Sequence, residues 1–438
     1  MGKGIQNFQI SFGEKDITRF GGLFLIHKFC KKLKLKWLLQ RHIKFRQKNQ
    51  EYQTAEFILI LIYIITLGIG RIENVKNLSY NGIVKKILGI KRFPNSTSIR
   101  RFLYRLTPTA INQIVKVHNI IQNKIFRILH TKTSITFDID GTVLTVFGKQ
   151  QRTKVGFNPK RKGARSYLAM LCFEQDREFW YGSLRPGNIS QVKVAPHIIR
   201  RCLEKLPYRI YRIRVRGDKI FYSHWFIENF LEQENILYTI EANTEGRGIQ
   251  GKMQQAKYSP YKKDWEVGEF TYQPTNWKRT HRFVIQKRPL PEDPDERAQL
   301  KLFEMKNYGY RVVVTNLKLK PRHIWNFHSR RAQGAEQNIK ELKLNYPIAK
   351  IPTHKYTANI AYFQILLFAF NITNWFKWLC LPEEYHYKTL QTLREYLLCV
   401  QARLTTTGNK NHLRFPAGYL YKDLYNYALK RIDKMKQI

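Results

Sequence analysis

The chain has 438 residues, which is long enough for about two to four domains. Its content of 43% hydrophobic and 14% aromatic residues excludes a disordered chain. Its formal charge of +45, from 77 Lys and Arg against 32 Asp and Glu, exceeds what solubility requires and indicates a polyanionic partner, with nucleic acid the first choice. A basic membrane-surface protein is the alternative, but its charge would be concentrated on one amphipathic helix, whereas these cations are spread along the chain.

Residues 1–130 carry helical patterns and no strand pattern, which predicts a helical domain. Its most apolar run, Phe57 to Leu67, has 11 residues and is too short to span a bilayer, which takes about 20. The stretch from Asn95 to Leu106 begins with capping residues and keeps Arg100 and Arg101 off its apolar face. Such a helix suits DNA recognition, and a solvated basic surface helix explains it equally well.

From about Thr133 the pattern changes to a period of two. In Ser134 to Thr142, the apolar residues Ile135, Phe137 and Ile139 alternate with Thr136, Asp138 and Asp140, so both carboxylates share the face opposite the core. We expect Gly141 to end this strand in a turn. Further strands are predicted, completing a meander, at Val143 to Phe147, Ser166 to Phe173 and Glu178 to Leu184.

The segment after this first pair is strongly basic, and no acid occurs from Gly141 to Cys172. Its cations would seat phosphates beside carboxylates that hold metal, which makes Lys160, Arg161 and Lys162 candidate phosphate contacts. A plain solvated loop is the alternative.

A helix at Gln191 to Leu206 and a strand from Tyr211 to Asp218 follow, so a second strand ends in an acid. With a helix at Phe221 to Leu231 and a strand at Ile236 to Ile240, the order is that of a ribonuclease H-like core. We therefore predict an α/β fold, with residues 131–241 as the first part of that core.

Residues 242–318 interrupt this order and are predicted to form a β-rich insertion domain. Its strands are expected at Glu269 to Gln273, His281 to Lys287 and Tyr310 to Asn316, with a loop rich in Pro and acids at Pro289 to Glu296. Trp265 and Trp277 lie among Lys and Arg and could stack on unpaired bases, although aromatic residues in a small β domain more often form its core.

Residues 319–400 are predicted to complete the core, and residues 401–438 to form a basic C-terminal segment. A helix at Arg322 to Leu344 carries Glu336 and Lys343, and an apolar helix follows at Ala358 to Leu381. The apolar helix is interrupted by polar residues, so we expect no transmembrane segment and no membrane partner.

The acids permit two mechanisms. The sequence Asp138-Ile139-Asp140-Gly141-Thr142 matches the first motif of haloacid dehalogenase-like phosphatases, with Asp138 as nucleophile and Asp140 as general acid/base. Gly217-Asp218 resembles the start of that family's magnesium motif. The motif needs a further Asp about four residues later, but Tyr222, Ser223 and His224 stand there. The second mechanism pairs Asp140 with Asp218 and Glu336 as three carboxylates for two divalent ions.

At these residues the chain resembles the cut-and-paste DDE transposases of bacterial insertion sequences, over about residues 15 to 410. The resemblance rests on Asp140-Gly141-Thr142, on Arg216-Gly217-Asp218, and on the signature Y-x2-R-x3-E-x6-K, represented in this chain by His328, Arg331, Glu336 and Lys343. Histidine replaces the tyrosine of that signature, and four residues rather than three separate Arg331 from Glu336.

The resemblance implies that Asp140, Asp218 and Glu336 are catalytic and bind Mg²⁺ or Mn²⁺, as two ions. It implies phosphate contacts by His328, Arg331 and Lys343, and its spacing to Thr142 favours Asp140 over Asp138, which is kept as an additional candidate acid.

The function implied is a DNA transposase that binds terminal inverted repeats, then cleaves and joins strands as a homodimer on paired ends of double-stranded DNA. A non-catalytic DNA-binding protein derived from a transposase is a further alternative. The five cysteines are scattered and form no C-x-x-C pair, which fits a reducing bacterial cytoplasm, where the protein would be associated with the nucleoid.

Overall fold

The computed structural model describes residues 10–13, 16–45, 51–79, 81–289 and 308–437. The chain divides into two compact units. Unit 1 comprises Met1–Val117, Asn345–Pro352 and Gln364–Ile438, and unit 2 comprises His118–Leu344 and Thr353–Phe363. The predicted division into five domains is not tested by this partition and stays a prediction.

Helices occur in both units. In chain order they are α1 (Leu23–Lys32), α2 (Leu35–His42), α3 (Thr54–Thr66), α4 (Lys76–Ser79), α5 (Gly82–Leu88), α6 (Ser96–Arg105), α7 (Pro108–Leu129), α8 (Gln191–Leu203), α9 (His224–Phe226), α10 (Arg247–Gln255), α11 (Pro321–Ser329), α12 (Gln337–Leu344), α13 (Tyr356–Cys380), α14 (Leu390–Leu393) and α15 (Lys422–Lys434). Short 3-10 turns lie at Ile72–Val75, Lys219–Phe221 and Glu383–Tyr385, and π-helical turns at Ile227–Leu231, Ala332–Glu336 and Arg394–Leu398. No helix within the described ranges combines the length and the apolar character that crossing a bilayer demands.

Strands also occur in both units, and most of them belong to unit 2. In chain order they are β1 (Ile17–Thr18), β2 (Ser134–Thr145), β3 (Lys154–Val155), β4 (Arg165–Glu174), β5 (Phe179–Pro186), β6 (Arg212–Gly217), β7 (Leu237–Glu241), β8 (Tyr258–Lys262), β9 (Trp265–Tyr272), β10 (His281–Pro289), β11 (Tyr308–Thr315), β12 (Ala402–Thr407) and β13 (Lys410–Arg414). The α/β class predicted from the sequence is confirmed.

Unit 1 is mainly helical and contains a three-stranded sheet in the order β1-β12-β13. Strand β1 was not predicted, because two residues are too few for a periodic pattern to be visible. The end of α3 is held by Arg394, whose guanidinium donates to the carbonyl oxygens of Ile65 (3.0 Å) and Thr66 (2.8 Å). Since the last carbonyls of a helix lack partners within the helix, this buried cation satisfies them.

Unit 2 is built on a ten-stranded sheet in the order β3-β4-β2-β6-β7-β11-β10-β9-β8, with β5 paired to β4. The pairs β2 with β6 and β6 with β7 are parallel, and the other pairs are antiparallel. The strands predicted for the insertion therefore extend the same sheet through the pairing of β11 with β7. Most of the loop predicted at Pro289 to Glu296 lies outside the described residues.

The turn predicted at Gly141 is wrong, because β2 continues to Thr145 and Gly141 pairs with Met170 on β4. A Cβ atom at Gly141 would lie 2.0 Å from the Oε1 atom of Gln191. The missing side chain at Gly141 therefore leaves room for the side chain of Gln191, at the start of α8, within a continuous strand.

The core of unit 2 packs the sheet against helix α8. Trp180 is 1% exposed, and its ring centroid lies 5.5 Å from that of Phe126 and 5.2 Å from that of Phe137. Phe137 belongs to the apolar face of β2 that the alternation predicted. This packing holds β2, and with it Asp140, in a fixed position relative to β5.

We expect Trp180→Ala to lower the free energy of unfolding by about 3–5 kcal/mol, because it removes a large buried side chain and leaves a cavity. Urea denaturation followed by circular dichroism measures the loss. Phe157→Ala is the control: that side chain is 76% exposed, so its truncation should change the same quantity by less than about 0.5 kcal/mol. An equal loss in both variants would contradict the packing described for Trp180.

Candidate functional site

Two of the predicted acids are brought together by the parallel pairing of β2 with β6. In that register Asp138 lies beside Arg216. Two residues further along each strand come Asp140 and Asp218, so both carboxylates lie at the same edge of the sheet. The next parallel strand, β7, ends in Glu241, which is not among the predicted ligands although it repeats the pattern of an acid at a strand end.

The third acid, Glu336, reaches the same place because the helix around it is irregular. A π-helical turn covers Ala332–Glu336, where the backbone N–H of Gln337 donates to the carbonyl of Ala332, five residues earlier. This wider turn accommodates the additional residue between Arg331 and Glu336 and leaves both side chains on one face. The sequence predicted a regular helix at these residues, because a π turn leaves no mark on hydrophobic periodicity.

Arg331 lies between the three acids. Its Nη1 atom is 2.7 Å from Oε1 of Glu336, and its Nη2 atom is 3.2 Å from Oδ2 of Asp140 and 3.7 Å from Oδ2 of Asp218. The Arg331 side chain is only 6% exposed. One guanidinium therefore neutralises part of the charge of three converging carboxylates.

The acids are poorly solvated. Burial raises the pKa of Asp140 to about 6, with Arg331 opposing the shift and Asp218 adding to it. Burial also raises the pKa of Asp218, again with Arg331 opposing. Carboxylates that lack water around them gain most from a nearby cation, so the arrangement favours a positively charged ligand.

A cleft of about 610 Å³ opens on these residues. It is lined by Asp140, Asp218, Glu336 and Arg331 together with Glu241, Arg288 and Arg311. Arg311 pairs with Glu241, at 3.2 Å from Nε to Oε1 and 3.1 Å from Nη2 to Oε2. The cleft is thus lined by both acids and arginines.

Asp138, the additional candidate acid, is held in a buried ion pair and does not line the cleft. It is fully buried, and Arg216 donates to both its carboxylate oxygens, at 2.6 Å from Nε and 2.7 Å from Nη2. A Cβ atom on Gly334 would lie 2.2 Å from Oδ2 of Asp138, so the π-helical turn covers the pair closely. Asp138 is thus inaccessible to a substrate, which argues against the nucleophile that a phosphatase would need.

His328, a predicted phosphate contact, is 2% exposed, and its Nδ1 atom lies 3.1 Å from Oγ1 of Thr239. Burial, followed by the charges of Arg311, Arg331 and Arg216, lowers the pKa of His328 well below its usual range. A buried neutral ring cannot seat a phosphate, so this placement does not support the role suggested by the signature. The ring packs edge-on against Trp325 instead.

The other predicted phosphate contacts of unit 2 are more open. Lys160, Arg161 and Lys162 are exposed on the segment between β3 and β4. Burial and the charge of Lys160 lower the pKa of Lys343, whereas the charge of Asp140 raises it. Lys343 therefore lies within electrostatic reach of both the basic segment and the acid cluster.

In unit 1, Arg100 and Arg101 lie on α6, whose first turn is capped by the Asn95 side chain accepting from the backbone of Ser98. Arg100 pairs with Glu73, and Arg101 is exposed. Arg101 is therefore the more available of the two predicted DNA contacts.

The stacking candidates are partly enclosed. Trp277 packs on Tyr222 and His281, with centroid distances of 5.1 and 4.9 Å. Trp265 is half-buried, with Lys262 and Arg288 over its ring at 5.4 and 5.7 Å. Both rings are therefore only partly accessible to a base.

A separate group of potential metal ligands, missed in the sequence, consists of His130, Glu174 and Asp176, whose ligand atoms lie within 4.8 Å of one another. Asp176 is paired with Lys132, and its backbone N–H donates to Glu174 at 2.7 Å. These partners already account for the group, so we assign it no function.

Comparison with known proteins gives a family match. The family model described as transposase DDE domain group 1 matches residues 3–437. No curated protein matches the chain.

Solved structures are more distantly similar. The transposase chain in a cryo-EM structure of a piggyBac transposase synaptic complex with hairpin DNA is 9% identical in sequence to this chain. The match spans 96% of this chain and 84% of the piggyBac chain, with a TM-score of 0.41. A Mos1 transposase paired-end complex with left transposon end is 12% identical, and a Mos1 mariner paired-end complex with Mn is 13% identical. Both cover 44% of this chain and 60% of their own, with a TM-score of 0.18. These TM-scores are low, so the family membership of the chain rests on the match to the family model and not on these structures.

The two acids of β2 should respond differently to truncation. Asp138→Ala leaves the buried Arg216 without its counter-charge and should lower the free energy of unfolding by about 3–5 kcal/mol. Asp140→Ala leaves Arg331 with two other carboxylates and should cost less than about 1.5 kcal/mol. Chemical denaturation in metal-free buffer measures both, and similar losses would contradict the distinction.

Proposed function

Because this chain belongs to the transposases with a DDE domain of group 1, we propose that it binds the terminal inverted repeats of a mobile DNA element and cleaves and joins DNA strands. The observation that carries this proposal is the convergence of Asp140, Asp218 and Glu336 on one point, at which Arg331 lies. The ribonuclease H-like core that we propose for unit 2 is consistent with three antiparallel strands followed by two parallel ones.

The donor set fits a hard divalent cation. Three carboxylates at one edge of a cleft offer only oxygen atoms, which Mg²⁺ and Mn²⁺ prefer, and the raised pKa values of Asp140 and Asp218 express a need for positive charge. We propose Asp140, Asp218 and Glu336 as the ligands of two such ions. When bound, the ions would supply Lewis acidity for an in-line displacement at phosphorus.

The cations around the cleft are proposed to hold the DNA backbone. Arg331 lines the cleft beside the three acids, and we propose that its guanidinium contacts a phosphate oxygen there. Lys343 and Lys160 lie close enough to influence each other, and two such like charges favour an anion between them. Arg161, Lys162 and, in unit 1, Arg101 would extend the contacts along double-stranded DNA.

The biological setting is also part of the proposal. We propose a cut-and-paste element of a bacterial insertion sequence, with two copies of the chain acting on paired ends and then on target DNA near the nucleoid. All five cysteines are free thiols, which is consistent with the reducing cytoplasm. A phosphatase is not retained, since its nucleophile would be the buried, paired Asp138.

The test is cleavage of labelled transposon-end DNA with Mg²⁺. We expect Asp140→Asn, Asp218→Asn and Glu336→Gln each to lower the cleavage rate at least about 100-fold, since each removes a ligand worth several kcal/mol in the transition state. Filter binding should show that DNA affinity is retained, because the cations supply it.

Glu241→Gln is the matched control, an acid of the same cleft that pairs with Arg311 and should keep most of its activity. Wild-type protein that binds the repeats without metal-dependent cleavage would favour the non-catalytic alternative.

A second prediction concerns Arg331 itself. Without metal, Arg331→Ala should leave three carboxylates repelling one another, so the melting temperature should fall and Mn²⁺ should then raise it more than in the wild type. Thermal unfolding with and without Mn²⁺ measures both effects. Arg330→Ala, an exposed neighbour, is the control and should behave as the wild type. An unchanged response to Mn²⁺ in Arg331→Ala would count against a metal site at the three acids.

A further inference from the structure

The segment between β2 and β4, residues 146–164, carries two phenylalanines on its surface and is named the basic loop. Phe147 is 83% exposed and Phe157 is 76% exposed. Large apolar side chains gain free energy by leaving water, so two exposed rings in one loop indicate a surface that a partner covers.

The basic loop is anchored and therefore presents these rings in a defined way. Asn158 is 4% exposed; its amide donates to Oγ1 of Thr145 at 2.9 Å and its carbonyl accepts from the backbone of Arg161 at 3.2 Å. Arg165 donates to the buried Thr153, at 3.0 Å to Oγ1 and 2.7 Å to the carbonyl oxygen. Phe157 directly precedes the anchoring Asn158, so its outward position follows from bonds made within the loop.

The charge of the basic loop defines the chemistry of its partner. No acid occurs from Gly141 to Cys172, whereas the cations of the loop are Lys149, Arg152, Lys154, Lys160, Arg161 and Lys162. The guanidinium of Arg161 lies 5.3 Å from the ring centroid of Phe147. Flat apolar rings among cations match a polymer with flat bases and a phosphate backbone.

The basic loop also follows the same strand as the candidate site. Thr145 lies five residues after Asp140 on β2, which corresponds to about 17 Å at the rise of a strand. That distance is roughly five stacked nucleotides of one strand. Duplex bases are already stacked on each other, so only unpaired nucleotides have faces free for these rings.

We propose that Phe147 and Phe157 form a stacking platform for unpaired nucleotides a few positions from the cleaved bond. This inference depends on the proposed function in one respect, which is that the DNA strand passes Asp140. Binding of unpaired bases requires no cleavage and no metal. The predicted stacking residues Trp265 and Trp277 lie elsewhere on the sheet, on or near β9, and are half-buried, whereas Phe147 and Phe157 are exposed.

The experiment compares two DNAs of the same sequence in EDTA, using the full chain. One is a blunt duplex and the other carries a single-stranded overhang with 2-aminopurine, whose fluorescence falls on stacking. The wild type should bind the overhang DNA more tightly and quench it. Phe147→Ala with Phe157→Ala should weaken overhang binding by about 10-fold or more and abolish the quenching, while affinity for the blunt duplex changes less than about threefold.

Two controls separate stacking from other effects. Tyr208→Ala removes a still more exposed ring outside the basic loop and should leave both affinities unchanged. Phe147→Trp with Phe157→Trp should preserve the quenching, whereas the corresponding leucine variant should lose it. An unaltered melting temperature establishes that the alanine variant is folded.

Two results would overturn the platform: no preference of the wild type for the overhang DNA, or equal weakening of binding to both DNAs in the alanine variant. Cleavage with Mg²⁺ is measured in parallel on the wild type. If quenching depends on the phenylalanines but no cleavage occurs, the proposed function is wrong and the platform is supported. If cleavage occurs without such quenching, the platform is wrong and the proposed function is supported.

Discussion

The guanidinium of Arg331 holds together three carboxylates that would otherwise repel one another. Two of these acids lie just beyond the parallel-paired parts of β2 and β6 and the third comes from a π-helical turn, so no local contact along the chain could assemble all three. Asp140 and Asp218 are partly removed from water at this place, and their raised pKa values reflect that cost. Such a group of carboxylates favours the binding of cations. In this structure the cation beside them is the guanidinium of Arg331.

A second arginine determines what the neighbouring acid does. Asp138 and Asp140 are two residues apart on one strand face, yet Asp138 is sealed in a pair with Arg216 beneath the π-helical turn while Asp140 borders the cleft. Breaking a buried pair of this type leaves an uncompensated charge in the interior. Asp138 therefore stabilises the junction between β2, β6 and the π turn, and that junction positions the residues on either side of it.

The excess of positive charge has a spatial order within unit 2. Buried arginines such as Arg216 and Arg331 serve acids of the interior, whereas the cations of the basic loop are exposed and have few acids near them. The exposed cations are the more accessible to a polyanion, so the total charge overstates the number of contacts to DNA. The exposed phenylalanines belong to this second group and give it a chemical character that charge alone does not.

Much of the fold and part of the candidate site follow from the sequence. Alternation in Ile135, Phe137 and Ile139 is enough to define the start of β2 and its core face, and acids on two neighbouring parallel strands point to Asp138 or Asp140 together with Asp218. The alternation by itself could not distinguish Asp138 from Asp140, since both obey it. The spacing to Thr142 favoured Asp140, and the covering π turn is what physically separates the buried acid from the accessible one.

The π turn itself depends on hydrogen bonds that leave the periodicity unchanged, and the enclosure of His328 and Trp277 depends on residues distant in the chain. Burial is a property of the assembled layers, and for that reason the tertiary structure alone decided which of the selected side chains can meet a ligand.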